Sequence, residues 1–162
     1  VIKDYGEENW SARIAKLIVE RRATMPIRTT FELVDAIKAA IPKKMRDENQ
    51  HPAKRTFQAI RIEVNRELDV IEKTLLAAVE MMNEGGVLAV ITFHSLEDRI
   101  VKNKFREFEK PCKCPPNIPI CVCGKESLGK VITKKPIVAG ELELNDNSRA
   151  HSAKLRVFER RA

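Results

Sequence analysis

The stretch GGVLAVITFHSLEDRIVKNKF, residues 85–105, decides how the rest of the chain is read. Gly85 and Gly86 interrupt what precedes them, and residues 87–93 follow as a short apolar run rich in β-branched side chains. Such a run, bounded by glycines, predicts a strand buried on both faces of a parallel sheet. His94 and Ser95 end it. Ser95 opens an S-x-x-D pattern that predicts a capping box with Asp98, and Glu97 adds a second acid to the positively polarised first turn of a helix. Leu96, Ile100, Val101, Phe105 and Phe108 keep helical spacing, while Lys102, Lys104 and Arg106 come later, where the dipole favours cations. The segment reads as a strand–turn–helix unit with polar groups at the strand's carboxyl end, the edge at which open α/β sheets bind ligands.

Upstream the pattern is helical. Trp10, Ile14, Leu17 and Ile18 form one apolar stripe, and Pro26 closes that region. Thr29-x-x-Glu32 predicts a capping box ahead of Leu33, Ile37, Ala40 and Ile41, with Pro42 as the stop. Residues 43–50 (KKMRDENQ) are polar and read as a loop. From Pro52, which suits the first turn of a helix, a three/four spacing runs through Phe57, Ile60, Val64, Leu68, Ile71, Leu75, Val79 and Met82. That predicts a long core helix packed on a sheet. Its opening, HPAKRTFQ at 51–58, groups His, Lys and Arg at a helix N-terminus, either a solvated helix start or a phosphate-contacting surface.

Downstream, Cys112, Cys114, Cys121 and Cys123 form two C-x-C pairs with six residues between them. Four thiolates at about 2.3 Å from a metal suit structural zinc. Reduced cysteines without a metal are the alternative, and a disulfide is a third option that a reducing cytoplasm disfavours. Residues 130–137 (KVITKKPI) read as a strand. Residues 153–160 (AKLRVFER) alternate Ala153, Leu155 and Val157 with Lys154 and Arg156, the pattern of a strand with one exposed face.

The 162 residues carry 30 Lys+Arg against 23 Asp+Glu, a formal charge of +7 that favours an anionic partner such as nucleic acid. Aromatic residues make up only 5%, which argues against a sheet of base-stacking rings. No stretch approaches the roughly 20 apolar residues of a membrane span, and no signal-peptide pattern opens the chain, so a cytoplasmic location is expected. The chain opens on Val1 and reads as part of a longer protein.

Three segments together, HPAKRTFQAIRIEV at 51–64, TFHSLEDRIVK at 92–102 and SRAHSAKLR at 148–156, resemble the bacterial methyltransferase family called MraW or RsmH. The resemblance implies transfer of a methyl group from S-adenosylmethionine to the exocyclic N4 of a cytosine in the decoding region of 16S ribosomal RNA, with the small ribosomal subunit as partner. It implies an α/β fold: a partial Rossmann-like class I methyltransferase domain at 63–162 and the later part of an inserted all-helical domain at 1–62. In that family the main cofactor contacts lie ahead of the inserted domain, so no cofactor-binding residue is assigned here. His151 stands where the family often has arginine.

Within that frame His94 and Ser95 are the candidates beside the target amine. The amine lone pair is delocalised into the ring, so a nearby acceptor or base helps; the alternative for His94 is a buried side chain that caps or orients the turn. Glu97, Asp98 and Arg99 fit helix capping and ion pairing better than catalysis. His51, Lys54, Arg55, Arg61, Arg149 and His151 are the candidates for holding RNA phosphates, Arg55 foremost. A non-catalytic basic RNA-binding or zinc-stabilised module is the competing function.

Overall fold

The structure is a computed structural model in which residues 1–46, 50–115 and 122–161 are described. The chain divides into two compact units, Val1–Glu67 and Leu68–Ala162, each with its own core.

The first unit is helical: α1 (Ile2–Gly6), α2 (Ser11–Thr24), α3 (Thr30–Ala40) and α4 (Lys54–Asn65). Trp10, the N-cap of α2, and Ile14, Leu17 and Ile18 of α2 share one core with Leu33, Val34 and Ile37 of α3, and Ile14, Ile37 and Ala40 are fully buried. The Thr29–Glu32 capping box forms as expected, with the Glu32 amide donating to Thr29 Oγ1 at 3.2 Å and the Thr29 amide to Glu32 Oε2 at 2.9 Å. A Cβ on Gly6 would lie 2.8 Å from the Arg55 carbonyl oxygen, so a glycine lets α1 and α4 approach closely. Of the predicted loop at 43–50, Lys43–Met45 forms one 3-10 turn, and residues 47–49 lie outside the described residues.

The long helix expected from Phe57 to Met82 is two helices, α4 and α5 (Glu67–Met81). Arg66 breaks it with φ +53° and ψ +38°. A non-glycine residue in that left-handed region costs roughly 1–2 kcal/mol. Part of this is offset locally, because Glu67 accepts hydrogen bonds from Arg61 and Asn65 across the break. The apolar spacing runs through unchanged, so periodicity alone hides it.

The second unit is mixed α/β. After α5 come β1 (Val87–Thr92), α6 (Ser95–Glu109), β2 (Gly129–Val131), β3 (Ile137–Val138), α7 (Glu141–Asp146) and β4 (Lys154–Arg160). β4 is central and antiparallel to all its partners. β1 pairs along its length from Val87↔Glu159 to Thr92↔Lys154, while β2 and β3 pair with its two ends. The single strand expected at 130–137 is therefore split into β2 and β3. The core joins Leu75 and Val79 of α5, Val101, Phe105 and Phe108 of α6, and Phe158 of β4. The Phe158 ring lies 5.3 Å from Phe105 and 5.8 Å from Phe108, within the range of favourable tilted and edge-on contacts. Gly129 is required beside it: an added Cβ would sit 2.7 Å from that ring and 2.1 Å from the Glu159 carbonyl oxygen.

Two strand readings need correction. β1 is buried on one face only: Leu88 and Val90 pack on the core, whereas Val87, Ile91 and Phe93 are more than half exposed. Its pairing among the described residues is antiparallel. In β4 the faces are reversed, for Arg156 and Phe158 are buried and Leu155 and Val157 only partly so. Phe158 fixes the inward face by filling the core, and the two-residue period carries Arg156 inward with it.

Candidate functional site

The candidate site is built at the carboxyl end of β1. His94 leaves the strand in an extended conformation (φ −141°, ψ +165°) and caps α6. Its Nδ1 accepts the Glu97 amide at 3.4 Å, while Glu97 Oε2 accepts the Phe93 and His94 amides at 2.9 and 3.2 Å. The capping box is thus His94–Glu97, one residue earlier than the expected Ser95–Asp98 pair. The amides of a strand end and a helix start converge on one carboxylate, and Glu97 is the acid that reaches them. His94 Nε2 is buried 3.3 Å from Glu97 Oε1 without hydrogen-bond geometry. Burial pushes the Glu97 carboxyl up, but the His94 side chain and the Phe93 and His94 amides outweigh it and hold the group below its ordinary value. Ser95 opens α6 and is exposed.

Asp98, released from capping, turns to β4. It accepts from Arg156 Nε at 2.6 Å and Nη2 at 3.0 Å, with Lys154 Nζ at 3.8 Å. This ion pair fastens the first turn of α6 to the central strand, and with it the turn that carries His94 and Ser95. Sequence reading gave Asp98 a capping or ion-pairing role but did not identify Arg156 as its partner. The available signal was an arginine in a strand on the same face as Phe158.

The antiparallel register also fixes what stands nearby. Since Thr92 pairs with Lys154, the end of β1 and the 3-10 turn Ser148–Ser152 lie at the same end of the sheet. Arg149 and His151 are exposed on that turn, and the Arg149 amide is held by Asn147 Oδ1 at 3.2 Å. His94, Ser95, Arg149 and His151 are thereby brought to one edge.

The other phosphate candidates belong to the helical unit. His51 uses Nδ1 to accept the Ala53 amide at 3.3 Å, Lys54 opens α4, and both are exposed. Arg55 is exposed and donates from Nη1 to the Glu7 carbonyl at 3.2 Å, closing the end of α1 where Glu7 has φ +48°. Arg61 makes a two-armed pair with Glu67 at 2.8 and 3.0 Å.

Three of the four cysteines meet. The Sγ atoms of Cys112, Cys114 and Cys123 lie within 4.8 Å of one another, and Cys121 lies outside the described residues. No helix among the described residues is long and apolar enough to cross a membrane.

A β-strand that runs through a capped polar turn into a helix, packed with a small antiparallel sheet, makes this unit a mixed α/β domain. Which such domain this is follows from comparison: residues 1–161 match the MraW methylase family, and the chain belongs to it. It is 60% identical over 160 residues to the ribosomal RNA small subunit methyltransferase H of Lachnospira eligens, covering 99% of this chain and 51% of that protein. The protein of the same name from Clostridioides difficile is 62% identical over 160 residues, with the same coverage. A relative from Agathobacter rectalis, ribosomal RNA small subunit methyltransferase H 2, is 56% identical over 160 residues, again 99% of this chain and 51% of the relative. The chain spans about half the length of the curated relatives it matches.

Proposed function

We propose that this chain is the carboxyl-terminal part of an S-adenosylmethionine-dependent methyltransferase that methylates N4 of a cytosine in the decoding region of 16S ribosomal RNA. The observation that carries the reading is identity of 56–62% across nearly the whole chain to proteins named as small-subunit ribosomal RNA methyltransferases. Residues 1–62 are assigned to the later part of an inserted helical domain and residues 63–162 to the carboxyl half of the catalytic domain.

The Gly85–Gly86 pair does not fit the cofactor. The one strand-flanking glycine pair, Gly85 and Gly86, spends its amides on the carbonyls of Arg160 and Asn83, at 2.9 and 3.0 Å. It therefore has no amide donors left for a cofactor's carboxylate or ribose. The contacts to S-adenosylmethionine are assigned to the part of the longer relatives that this chain does not span.

What this chain supplies is the substrate edge. N4 of cytosine is a weak nucleophile, so orientation and acceptors for its hydrogens are the useful contributions. His94 holds the turn through the box with Glu97, and the hydroxyl of Ser95 is assigned the role of accepting a hydrogen bond from the amine. Arg149 and His151, at the same end of the sheet, are assigned to flanking phosphates, which orient a nucleic acid without reading its sequence. His51, Lys54, Arg55 and Arg61, within the helical unit, are further phosphate-contact assignments.

Incubating the full-length protein with labelled S-adenosylmethionine and small ribosomal subunits tests the reading. Label in the ribosomal RNA is expected. RNA binding without transfer would favour the non-catalytic module instead.

A further inference from the structure

We propose that Cys112, Cys114 and Cys123 form a structural zinc site that staples the loop between α6 and β2. Three observations meet here. The first is the geometry: three thiol sulfurs lie within 4.8 Å of one another. Tetrahedral zinc with Zn–S bonds of about 2.3 Å sets its sulfurs roughly 3.8 Å apart, so small side-chain rotations bring all three onto one ion.

The second is the loop itself. It runs from Lys110 to Leu128, and its described residues form neither helix nor strand. Its base is firmly closed: Leu128 donates its amide to the Phe108 carbonyl at 2.8 Å, and Val131 donates to Glu109 Oε1 at 2.9 Å. On the way out, Lys113 pairs with Glu107 at 3.2 Å. Cys112 and Cys114 follow one side of this base and Cys123 precedes the other, so an ion bound by all three ties the two limbs together above the backbone pairing.

The third is burial. Cysteine is among the most buried residue types, yet Cys112 is exposed, Cys114 and Cys123 are only partly buried, and none belongs to the core around Phe158. Packing does not account for three thiols gathered on a surface loop; a soft divalent cation does. Binding takes place through the thiolates, so each ligating thiol releases its proton to solvent and affinity falls as pH is lowered. The site is independent of the reaction proposed above, because the loop can be stapled whether or not methyl is transferred.

The test is metal analysis of the full chain, purified with reductant and without chelator, together with C112S, C114S and C123S variants. About one zinc per chain is expected, falling to near zero in each variant. The cysteines lie outside the core, so far-UV circular dichroism should stay native in all three and exclude misfolding as the cause. Cobalt(II) added to the metal-stripped chain should give the intense visible bands of a tetrahedral thiolate site. The proposal is overturned by a reduced, folded chain that holds no zinc and gives no such bands. Full zinc content in a variant lacking all three cysteines overturns it equally.

Discussion

Asp98 and Arg156 are joined by two hydrogen bonds, Nε to Oδ1 at 2.6 Å and Nη2 to Oδ2 at 3.0 Å, between side chains 12% and 6% exposed. Breaking a buried pair by removing one partner leaves the other charge uncompensated, typically at about 3–5 kcal/mol. D98N is expected to destabilise the chain by that order in urea unfolding, and D98L/R156M to recover much of the loss. The Arg156 hydrogen bond is the main cause holding the Asp98 carboxyl below its ordinary value; burial opposes it, and the charges of Arg156, Lys154 and Lys102 add to it. A carboxyl lowered on folding contributes its full stability above its unfolded pKa, about 3.9, and loses it as pH falls through the lower folded value. Unfolding free energy measured from pH 6 down to pH 2 should therefore drop less steeply in D98N than in the parent. Parallel acid limbs would contradict the pair's role.

The His94–Glu97 box yields a separable prediction. Loss of an N-cap side chain costs about 1 kcal/mol, and asparagine is among the best caps. H94A should lower Tm while H94N stays close to the parent. In the full-length enzyme H94A should slow methyl transfer, on the order of 10²-fold, and H94N far less, because asparagine keeps the turn before Ser95 capped. A Tm loss in H94N equal to that of H94A would show that His94 is not acting as a cap.

How much of this was legible in the sequence depends on the range of the interaction. The β1–turn–α6 unit and the Thr29–Glu32 box follow from patterns a few residues long. The break at Arg66 carries no glycine or proline, so nothing local announces it. Arg156 read as a surface residue because its partner is 58 positions away, and alternation alone cannot tell a paired arginine from a solvated one. The same separation of scales applies to the site. His94 and Ser95 could be picked out from the strand end, whereas the placement of Arg149 and His151 at that edge needed the β1–β4 register.

Arg55 offers a choice between two roles. Its hydrogen bond to the Glu7 carbonyl is worth about 1 kcal/mol, and the residue is exposed. R55A in the full-length enzyme should raise KM for the small subunit, leave cofactor affinity unchanged and lower Tm only slightly. The KM effect should shrink as salt rises. A clearly destabilised variant with normal RNA affinity would remove Arg55 from the phosphate contacts.

With the Gly85 and Gly86 amides already paired to the carbonyls of Arg160 and Asn83, isothermal titration of this chain with S-adenosylmethionine should give no measurable heat of binding. Tight binding would mean that the cofactor pocket lies within these 162 residues after all.

The most direct measurement is the identity of the modified nucleoside. Small subunits from a strain lacking the modification, incubated with the full-length protein and S-adenosylmethionine, are digested and analysed by mass spectrometry. The account predicts N4-methylcytidine from a single position in the decoding region, reduced in the S95A variant. Methylation of a carbon or of a different base, or no methylation by a folded, cofactor-binding enzyme, would contradict it.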